Sequence, residues 1–286
     1  MRPYIELTKP RITWLILMST GIGYFFGTRT ASFAGWHWLV LLHTILGTGL
    51  IASGTAALNQ WYERIADSKM RRTQNRPLPS GRVSSRNALL FGLTISAAGF
   101  LELSLGVNLL TGLLGLFTLA SYLFVYTPLK QRSPHSTTIG AIPGAMPPLI
   151  GYAASSGMLN ADAWVLFAIL FLWQFPHFYA IAWMYREDYE RAGIRMLPVV
   201  QPDGESTARQ ILLYASVLIP ISLLPKVLSM TGDLYVVGAF ILGLYYLYTG
   251  TRVVLNRTRR HARAVLLASI LYLPLLYGLM LIDHAA

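Results

Sequence analysis

The sequence predicts an all-α integral membrane protein with nine transmembrane helices. Only 12% of its 286 residues are charged, about half of the roughly 25% that is usual in soluble domains. Hydrophobic residues make up 54% of the chain, and they collect in runs long enough to cross a bilayer. The Lys and Arg residues lie almost entirely in alternate connections between these runs, which is the pattern of a polytopic membrane protein.

Nine apolar segments have the length of a membrane-spanning helix. Some contain Gly and Pro, as in the stretch GAIPGAMPPLIGY of the fifth segment, which neighbouring helices tolerate in a membrane. We expect the chain 1–286 to form a single polytopic domain. The predicted segments span residues 12–28, 37–58, 87–104, 108–126, 139–156, 162–184, 209–228, 233–251 and 263–282.

The basic residues predict how these helices are oriented. With the N-terminus in the cytoplasm, all but two of the 23 Lys and Arg residues fall on the cytoplasmic side, as the positive-inside rule requires. The exceptions are Arg29 and Lys226. We therefore expect a multi-pass protein of the plasma (cell inner) membrane, with a cytoplasmic N-terminus and with the C-terminus on the outer side.

The composition also narrows the function. The net charge of +11 is explained by topology and by attraction to anionic lipid, so membrane lipid is an expected partner and nucleic acid is not. The chain has no cysteine, which excludes disulfides and thiol chemistry. Its first residues show neither a cleavable signal nor an Arg/Ser-rich transit peptide.

The stretch NQWYERIADSKMRRTQNRPLPSG, residues 59–81, is rich in charge for this chain. Asn59, Glu63 and Asp67 are four residues apart, which places them on one face of a helix. Two carboxylates one turn apart repel unless a positive charge lies between them, and Mg²⁺ prefers such oxygen ligands and is often shared with substrate phosphates. Arg72 and Arg76 follow, and their guanidinium groups suit phosphate oxygens.

Two interpretations of this stretch remain open from composition alone. It is either a solvated loop at the membrane surface, in which the acids pair with nearby Lys and Arg, or a Mg²⁺–diphosphate site. The regular spacing of the acids favours the second without deciding the matter. Pro77, Pro79 and Gly81 predict a rigid, non-helical turn before the third segment.

The end of the sixth segment and the loop that follows it form a second polar cluster. Its aromatic residues, Trp183 among them, are typical of the aromatic belt at a membrane interface. His177 lies in the membrane zone, where an ionisable group is a functional candidate; a hydrogen-bonded structural histidine is an equally open interpretation. Arg186, Glu187 and Asp188 repeat the acid-and-arginine composition of the first loop and indicate a second Mg²⁺ site.

Tyr126 and Lys130 end the fourth segment. Lys130 is a candidate phosphate contact, although a positive-inside residue at this place needs no functional explanation. Pro128 lies between them and argues against a regular helix at this point.

Three stretches carry a resemblance to a known family: NQWYERIADSKMRRTQNRPLPSG, YTPLKQRS and WQFPHFYAIAWMYREDYERAGIRMLPVV. With them, nearly the whole chain resembles the UbiA superfamily of intramembrane prenyltransferases, and within it the haem branch. The resemblance implies nine helices around a central cavity open toward the bilayer. It also implies farnesyl diphosphate as donor, haem B as acceptor, and haem O and diphosphate as products.

The resemblance carries over to individual positions where the motifs match. The superfamily's first acidic motif, Asn-x-x-x-Asp/Glu-x-x-x-Asp, matches Asn59, Glu63 and Asp67 and implies, together with Lys130, a catalytic role at the Mg²⁺–diphosphate centre. The Tyr-x-x-x-Lys motif matches Tyr126 and Lys130. As contacts to the two substrates, we predict Arg72, Arg76, Tyr126, Lys130, His177, Trp183 and Arg186.

One departure from the family pattern concerns the second metal. Many members carry Asp-x-x-x-Asp after the sixth helix, whereas this chain has REDYERAG, in which Asp188 is the clear counterpart and Glu187 the next candidate. The predicted Mg²⁺ ligands are therefore Glu63, Asp67 and Asp188.

The implied reaction is the loss of diphosphate to give an allylic carbocation, which the 2-vinyl group of haem B attacks, in support of haem–copper oxidase cofactor synthesis. Haem is then a substrate, and Mg²⁺ is the cofactor. Haem A synthase and oxidase assembly proteins are the candidate protein partners. As an aromatic wall for the cation, we expect Trp61, Phe175, Phe178 or Trp183.

Three other functions are open at this stage. The acceptor could be 4-hydroxybenzoate or a chlorophyllide, against which the missing second Asp-x-x-x-Asp and the stretch WQFPHFYAIAW argue. A transporter often shows repeated halves and charges at the membrane midplane, whereas these charges cluster at one face. A haem-carrying assembly factor would bind haem and form no product.

Overall fold

The computed structural model describes residues 1–29 and 37–284, and this part of the chain is helical throughout. The only strand-like pairing among these residues is one isolated bridge between Thr231 and His284. The helices are α1 Arg2–Leu7, α2 Pro10–Thr28, α3 His37–Lys69, α4 Ser85–Gly106, α5 Leu109–Leu129, α6 Ser136–Gly144, α7 Pro147–Ser156, α8 Ala161–Met184, α9 Arg186–Arg191, α10 Leu197–Val200, α11 Glu205–Val227, α12 Asp233–Leu255 and α13 Arg259–Ile282.

Seven of the described helices are long and apolar enough to cross a membrane: α3, α4, α5, α8, α11, α12 and α13. They contain seven of the nine predicted segments. The first predicted segment lies in α2, and the fifth is divided between the short helices α6 and α7; neither is among the seven. The multi-pass membrane fold is therefore confirmed, and the count of nine spans stays a prediction.

The fifth predicted segment is broken because its middle is rich in Gly and Pro. Helix α6 ends at Gly144, and α7 begins at Pro147, where the fixed φ of proline suits a first helical turn. Helix α7 then packs very closely against α2. A Cβ atom on Gly151 would collide with the carbonyl oxygen of Thr20, and one on Gly23 with that of Pro148. These two helices can approach so closely only because both positions are glycine.

Helix α5 contains a π-helical turn, residues Ser121–Tyr126, before its last turn at Thr127–Leu129. The expectation that Pro128 interrupts the helix was wrong. The chain stays helical, and the Lys130 N–H donates to the Tyr126 carbonyl at 3.2 Å. Pro128 stands in the first positions of the last turn. Its missing N–H is tolerated there because the preceding π-turn shifts the pattern of backbone hydrogen bonds.

Arg29 and Lys226, the two basic residues that fall outside the predicted cytoplasmic side, lie at the same end of the bundle. Arg29 donates through Nη2 to the Ser229 carbonyl at 2.9 Å, and Lys226 is three positions before that serine. Asp283 lies at this end too, because its carbonyl accepts from the Gly232 N–H at 2.7 Å. At the opposite end, Glu6 pairs with Arg82 at 2.7 Å. The first and last described residues therefore lie at opposite ends of the bundle.

Candidate active site

The acidic residues of the first charged stretch share one buried face of α3. This helix runs without interruption from His37 to Lys69, so Glu63 and Asp67 lie on the helix itself, beyond residue 58, where the second predicted segment ends. Asn59, Glu63 and Asp67 are 1%, 6% and 1% exposed. The predicted one-sided arrangement is confirmed. The side chains are buried, which contradicts a solvated loop, although the two acids do pair with Lys130 and Arg76 as that interpretation expected.

Glu63 is held by a lysine from another helix. Its Oε1 accepts from Lys130 Nζ at 2.8 Å, and the same ammonium lies 4.6 Å from the ring centroid of Tyr126. Burial lowers the pKa of Lys130, but the charge of the Glu63 carboxylate, which also accepts its hydrogen bond, outweighs burial and keeps that pKa well above its usual range. The lysine is therefore charged in this pocket at neutral pH.

Asp67 is held by an arginine from the turn that follows its own helix. Arg76 Nη1 lies 2.9 Å and 2.8 Å from the two carboxylate oxygens. The turn is fixed near this contact, because Thr73 Oγ1 donates to the Asp67 carbonyl at 2.9 Å. Gly81, with a φ of +72°, completes the predicted rigid turn before α4. The fold thus places one cation on each of the two acids.

Lys9 is a third basic residue of this group, and no pattern in the sequence marked it. Its Nζ donates to Asn59 Oδ1 at 3.3 Å, although 50 positions separate them. Burial and the nearby Arg76 lower the pKa of Lys9 to about 7. The backbone at Lys9 is left-handed, with a φ of +47°, which is uncommon for a residue with a side chain. This backbone conformation between α1 and α2 directs the lysine side chain toward α3.

These residues line one end of a pocket of about 400 Å³, within the range of small-molecule sites. The polar end holds the acids and cations just described, together with Arg72. The other end is apolar and is shared by several helices. Its lining includes Ile12, Leu15, Ile16, Leu170, Trp173, Phe178, Ile270 and Leu273. A ligand with a charged head and a hydrocarbon tail matches this division.

His177 lines the same pocket. Its Nδ1 is 2.7 Å from Ser269 Oγ, and that hydroxyl donates its own proton to the Leu266 carbonyl at 2.6 Å. Ser269 must therefore accept from the Nδ1–H, which leaves Nε2 as the nitrogen with a free lone pair. The ring is stacked on Trp173 at 5.0 Å between centroids. Both the structural and the functional interpretation of His177 are compatible with these contacts.

The model of the UbiA prenyltransferase family matches residues 16–273. The chain belongs to the UbiA prenyltransferase family. It is 67% identical to a Solibacter usitatus protein named protoheme IX farnesyltransferase, over 99% of each chain. The fold is similar to that of a digeranylgeranylglyceryl phosphate synthase, with a TM-score of 0.80 and 17% identity over 99% of this chain and 97% of that one. It is also similar to a UbiA homologue from Archaeoglobus fulgidus bound to GPP and Mg²⁺, with a TM-score of 0.64 and 17% identity over 97% and 99%.

The structure brings most of the residues predicted from the UbiA motifs to one pocket. Asn59, Glu63, Asp67, Arg72, Arg76, Tyr126, Lys130 and His177 all line it. Tyr122, one turn before Tyr126 in the π-turn of α5, lines it as well. Tyr122 had no signal in the sequence apart from its spacing from Tyr126.

Asp188, the third predicted metal ligand of this UbiA chain, does not lie in that lining set. Its oxygens accept from the backbone N–H groups of Arg71 and Arg72, at 3.4 Å and 3.3 Å, and from the side chain of Arg191. Among the residues that the structure describes, no three His, Asp or Glu side chains come together to hold a metal ion. A ligand role for Asp188 stays a prediction; its contacts instead tie α9 to the turn after α3.

Trp183 and Arg186 were predicted substrate contacts, and the structure places them outside the pocket lining. Trp183 Nε1 donates to the Arg257 carbonyl at 3.1 Å, and the Arg186 guanidinium lies 4.4 Å from the Trp183 ring centroid. Trp183 thus contacts the α12–α13 connection, and Arg186 contacts Trp183 and the Pro202 carbonyl instead. Of the aromatic residues expected around the pocket, only Phe178 lines it; Phe175 is fully buried and stacked on Tyr214. Trp173, which was not among the expected aromatic residues, also lines the pocket.

Proposed function

We propose that this UbiA family member transfers the farnesyl group of farnesyl diphosphate to the 2-vinyl group of haem B and so forms haem O. The observation that carries the proposal is the grouping of two buried carboxylates with four basic residues at one end of a largely apolar pocket. Glu63 and Asp67 face Lys130 and Arg76, and the pocket lining adds Lys9 and Arg72. The curated relative named protoheme IX farnesyltransferase, at 67% identity, supports the choice of substrates.

These four basic residues would bind the diphosphate. Lys9, Arg72, Arg76 and Lys130 reach the pocket from the α1–α2 turn, the turn after α3, and the end of α5. Such preorganised charges stabilise the negative charge that builds on the leaving group as its C–O bond breaks. The electron pair of that bond leaves with the diphosphate.

Glu63 and Asp67 fit a divalent cation. Both carboxylates are buried on one helix face, where two negative charges one turn apart need positive compensation; in this structure Lys130 and Arg76 supply it. When bound there, Mg²⁺ would supply charge neutralisation to the diphosphate oxygens. The description of the Archaeoglobus fulgidus homologue as bound to GPP and Mg²⁺ supports this, as does the oxygen-only chemistry of the two acids. Asn59 holds Lys9 beside this centre.

The apolar end of the pocket would hold the hydrocarbon parts of both substrates. Leu15, Ile16, Leu170 and Leu273 offer aliphatic surface for the farnesyl chain. Trp173 and Phe178 present aromatic rings, which stabilise a carbocation by about 0.5–2 kcal/mol each. The same apolar walls keep water away from the reacting carbon until the vinyl group reaches it.

The bond changes balance without a covalent intermediate on the protein. The terminal carbon of the 2-vinyl group attacks the allylic carbon of the farnesyl group and forms the new C–C bond. The positive charge then rests on the carbon next to the porphyrin ring. A water molecule adds there and loses a proton, which gives the hydroxyethylfarnesyl group of haem O. Nε2 of His177, which has a free lone pair, is our candidate for binding the haem iron or for receiving that proton.

The direct test is to incubate the purified protein with haem B, farnesyl diphosphate and Mg²⁺ and to measure the mass of the haem product. We expect haem O and one diphosphate per turnover. A parallel incubation with 4-hydroxybenzoate in place of haem should give no prenylated product. Haem binding without product or diphosphate release would contradict the proposal and favour a haem-carrying factor.

A further inference from the structure

A second pocket, of about 290 Å³, lies between α12 and α13 and is separate from the candidate active site. It is lined by Tyr245, Tyr248 and Arg252 of α12 and by Arg260 and His261 of α13, among others. The α12–α13 connection packs against the end of α8, where Trp183 Nε1 donates to the Arg257 carbonyl. The pocket therefore opens at the same end of the bundle as the diphosphate site.

Arg252 is held in place in this pocket by a tyrosine and a histidine. Its Nη1 donates to the Tyr248 hydroxyl at 2.8 Å, and its Nη2 is 3.5 Å from His261 Nε2. His261 Nδ1 is 2.8 Å from the Asn256 carbonyl, which can only accept. The ring therefore carries its proton on Nδ1 and offers Nε2 to Arg252 as an acceptor. The guanidinium is thus oriented without a carboxylate partner, and its other N–H groups remain for a ligand.

The positive charge around the pocket is not neutralised. Arg252 and Arg260 form no ion pair among the described residues, and no Asp or Glu occurs in the sequence between Asp233 and Asp283. In the same stretch there are five arginines: Arg252, Arg257, Arg259, Arg260 and Arg263. The pocket also lies at the N-terminal turn of the 24-residue helix α13, whose dipole adds to the attraction for an anion.

Two rows of exposed apolar side chains lead from the charged opening of this pocket along the spanning helices α12 and α13. On α12, Ile241, Tyr245 and Tyr248 precede Arg252 at helical spacing and are 59%, 51% and 56% exposed. On α13, Leu267 and Leu271 follow Arg260 at the same spacing, and both are exposed. A free anion would contact only the charged opening of the pocket. An acidic protein segment would not contact apolar side chains that run into the bilayer. A molecule with a phosphate head and acyl chains matches both parts.

We propose that this pocket binds the phosphate head of an anionic membrane phospholipid, with Arg252 and Arg260 as the two charged contacts and the acyl chains along α12 and α13. Basic pockets between transmembrane helices are suited to anionic headgroups, and guanidinium groups bind phosphate oxygens in pairs. The proposal does not depend on the proposed prenyl transfer, because no residue of this pocket belongs to that site.

Native mass spectrometry of the full-length protein in detergent, with equimolar phosphatidylglycerol and phosphatidylcholine, tests the proposal. We expect the wild type to retain phosphatidylglycerol preferentially. The double variant Arg252→Gln, Arg260→Gln should lower the ratio of bound phosphatidylglycerol to bound phosphatidylcholine about tenfold, since two charged hydrogen-bond donors are lost. Arg263→Gln is the matched control: it removes the same charge from an exposed position of α13 outside the pocket, and should keep the wild-type ratio.

A thermal-unfolding series separates a lipid from a simple anion. Phosphatidylglycerol should raise the wild-type midpoint, whereas phosphatidylcholine and inorganic phosphate should not. Because Arg260 makes no hydrogen bond or ion pair with the described protein, Arg260→Gln alone keeps the test valid if the double variant fails to fold. Three results would each overturn the proposal. The wild type could retain both lipids equally, inorganic phosphate could raise the midpoint as much as phosphatidylglycerol does, or Arg263→Gln could lower the lipid ratio as much as the double variant does.

Discussion

The ammonium of Lys130 and the carboxylate of Glu63 form a buried ion pair, with Nζ and Oε1 2.8 Å apart. The pair joins the end of α5 to the face of α3 at the polar end of the pocket. In this arrangement the lysine supplies the positive charge that Glu63 requires. In the proposed reaction, Mg²⁺ would share that function, and the lysine would turn toward the diphosphate.

Removal of Lys130 should therefore make the stability of the protein depend on Mg²⁺. We expect Lys130→Gln to lower the free energy of unfolding by about 3 kcal/mol, because it leaves a buried carboxylate without its partner. Added Mg²⁺ should restore part of this loss. The measurement is the thermal midpoint in detergent with and without Mg²⁺.

The matched control for this experiment is the double variant Glu63→Gln, Lys130→Gln. It has no unpaired carboxylate at this position, so the additional response to Mg²⁺ should disappear. If Lys130→Gln and the wild type respond equally to Mg²⁺, Glu63 is not a binding site for the cation.

Asp67 should be essential for turnover, whereas the acid next to Asp188 should not be. Asp67→Asn keeps the size of the side chain and removes its charge, so we expect diphosphate release to fall at least about 100-fold, as for a loss of several kcal/mol of charge stabilisation. Glu187→Gln removes an equal charge from an exposed position and should leave the rate nearly unchanged. Haem product and diphosphate are measured in the same incubation. Normal turnover in Asp67→Asn would remove the assigned role.

Lys9 should contribute to binding of the diphosphate. We expect Lys9→Met to raise the KM for farnesyl diphosphate about tenfold, in line with the loss of one charge-assisted contact, and to change the KM for haem little. Arg11→Gln is the control, because Arg11 is exposed and only two positions away. A larger effect of Arg11→Gln than of Lys9→Met would show that general surface charge, and not Lys9, attracts the substrate.

The sequence predicted the parts of this site that are arranged along single helices. The spacing of Asn59, Glu63 and Asp67 was sufficient because helical geometry alone places them on one face. The family resemblance added Tyr126 and Lys130 as the facing pair.

The contacts between distant segments could not be predicted in this way. Lys9 reaches Asn59 because the chain adopts a left-handed conformation just before Pro10, and no periodic pattern announces such a turn. Trp183 and Asp188 were placed in the site on composition and motif. In the structure they contact the α12–α13 connection and the turn after α3 instead, and such choices of partner depend on tertiary packing.

Asp188 should act on the diphosphate site through Arg72. Its oxygens accept from the Arg71 and Arg72 N–H groups, and the Arg72 side chain is held by Tyr189, whose hydroxyl lies 3.2 Å from Nη2. We expect Asp188→Asn to raise the KM for farnesyl diphosphate several-fold through looser positioning of Arg72. The Mg²⁺ concentration that gives half-maximal activity should not change. A large increase in that concentration would instead support Asp188 as a metal ligand.

His177 should determine how haem is bound. His177→Ala removes the free Nε2 lone pair, so we expect an altered absorption spectrum of the bound haem, weaker haem binding and a lower rate, with the KM for farnesyl diphosphate unchanged. Ser269→Ala is the informative partner variant. It removes only the acceptor that fixes the ring through Nδ1, so it should reduce haem affinity by less than His177→Ala and keep the wild-type spectrum. An unchanged spectrum and an unchanged rate in His177→Ala would exclude both the iron-ligand and the proton-transfer role and leave His177 a structural residue.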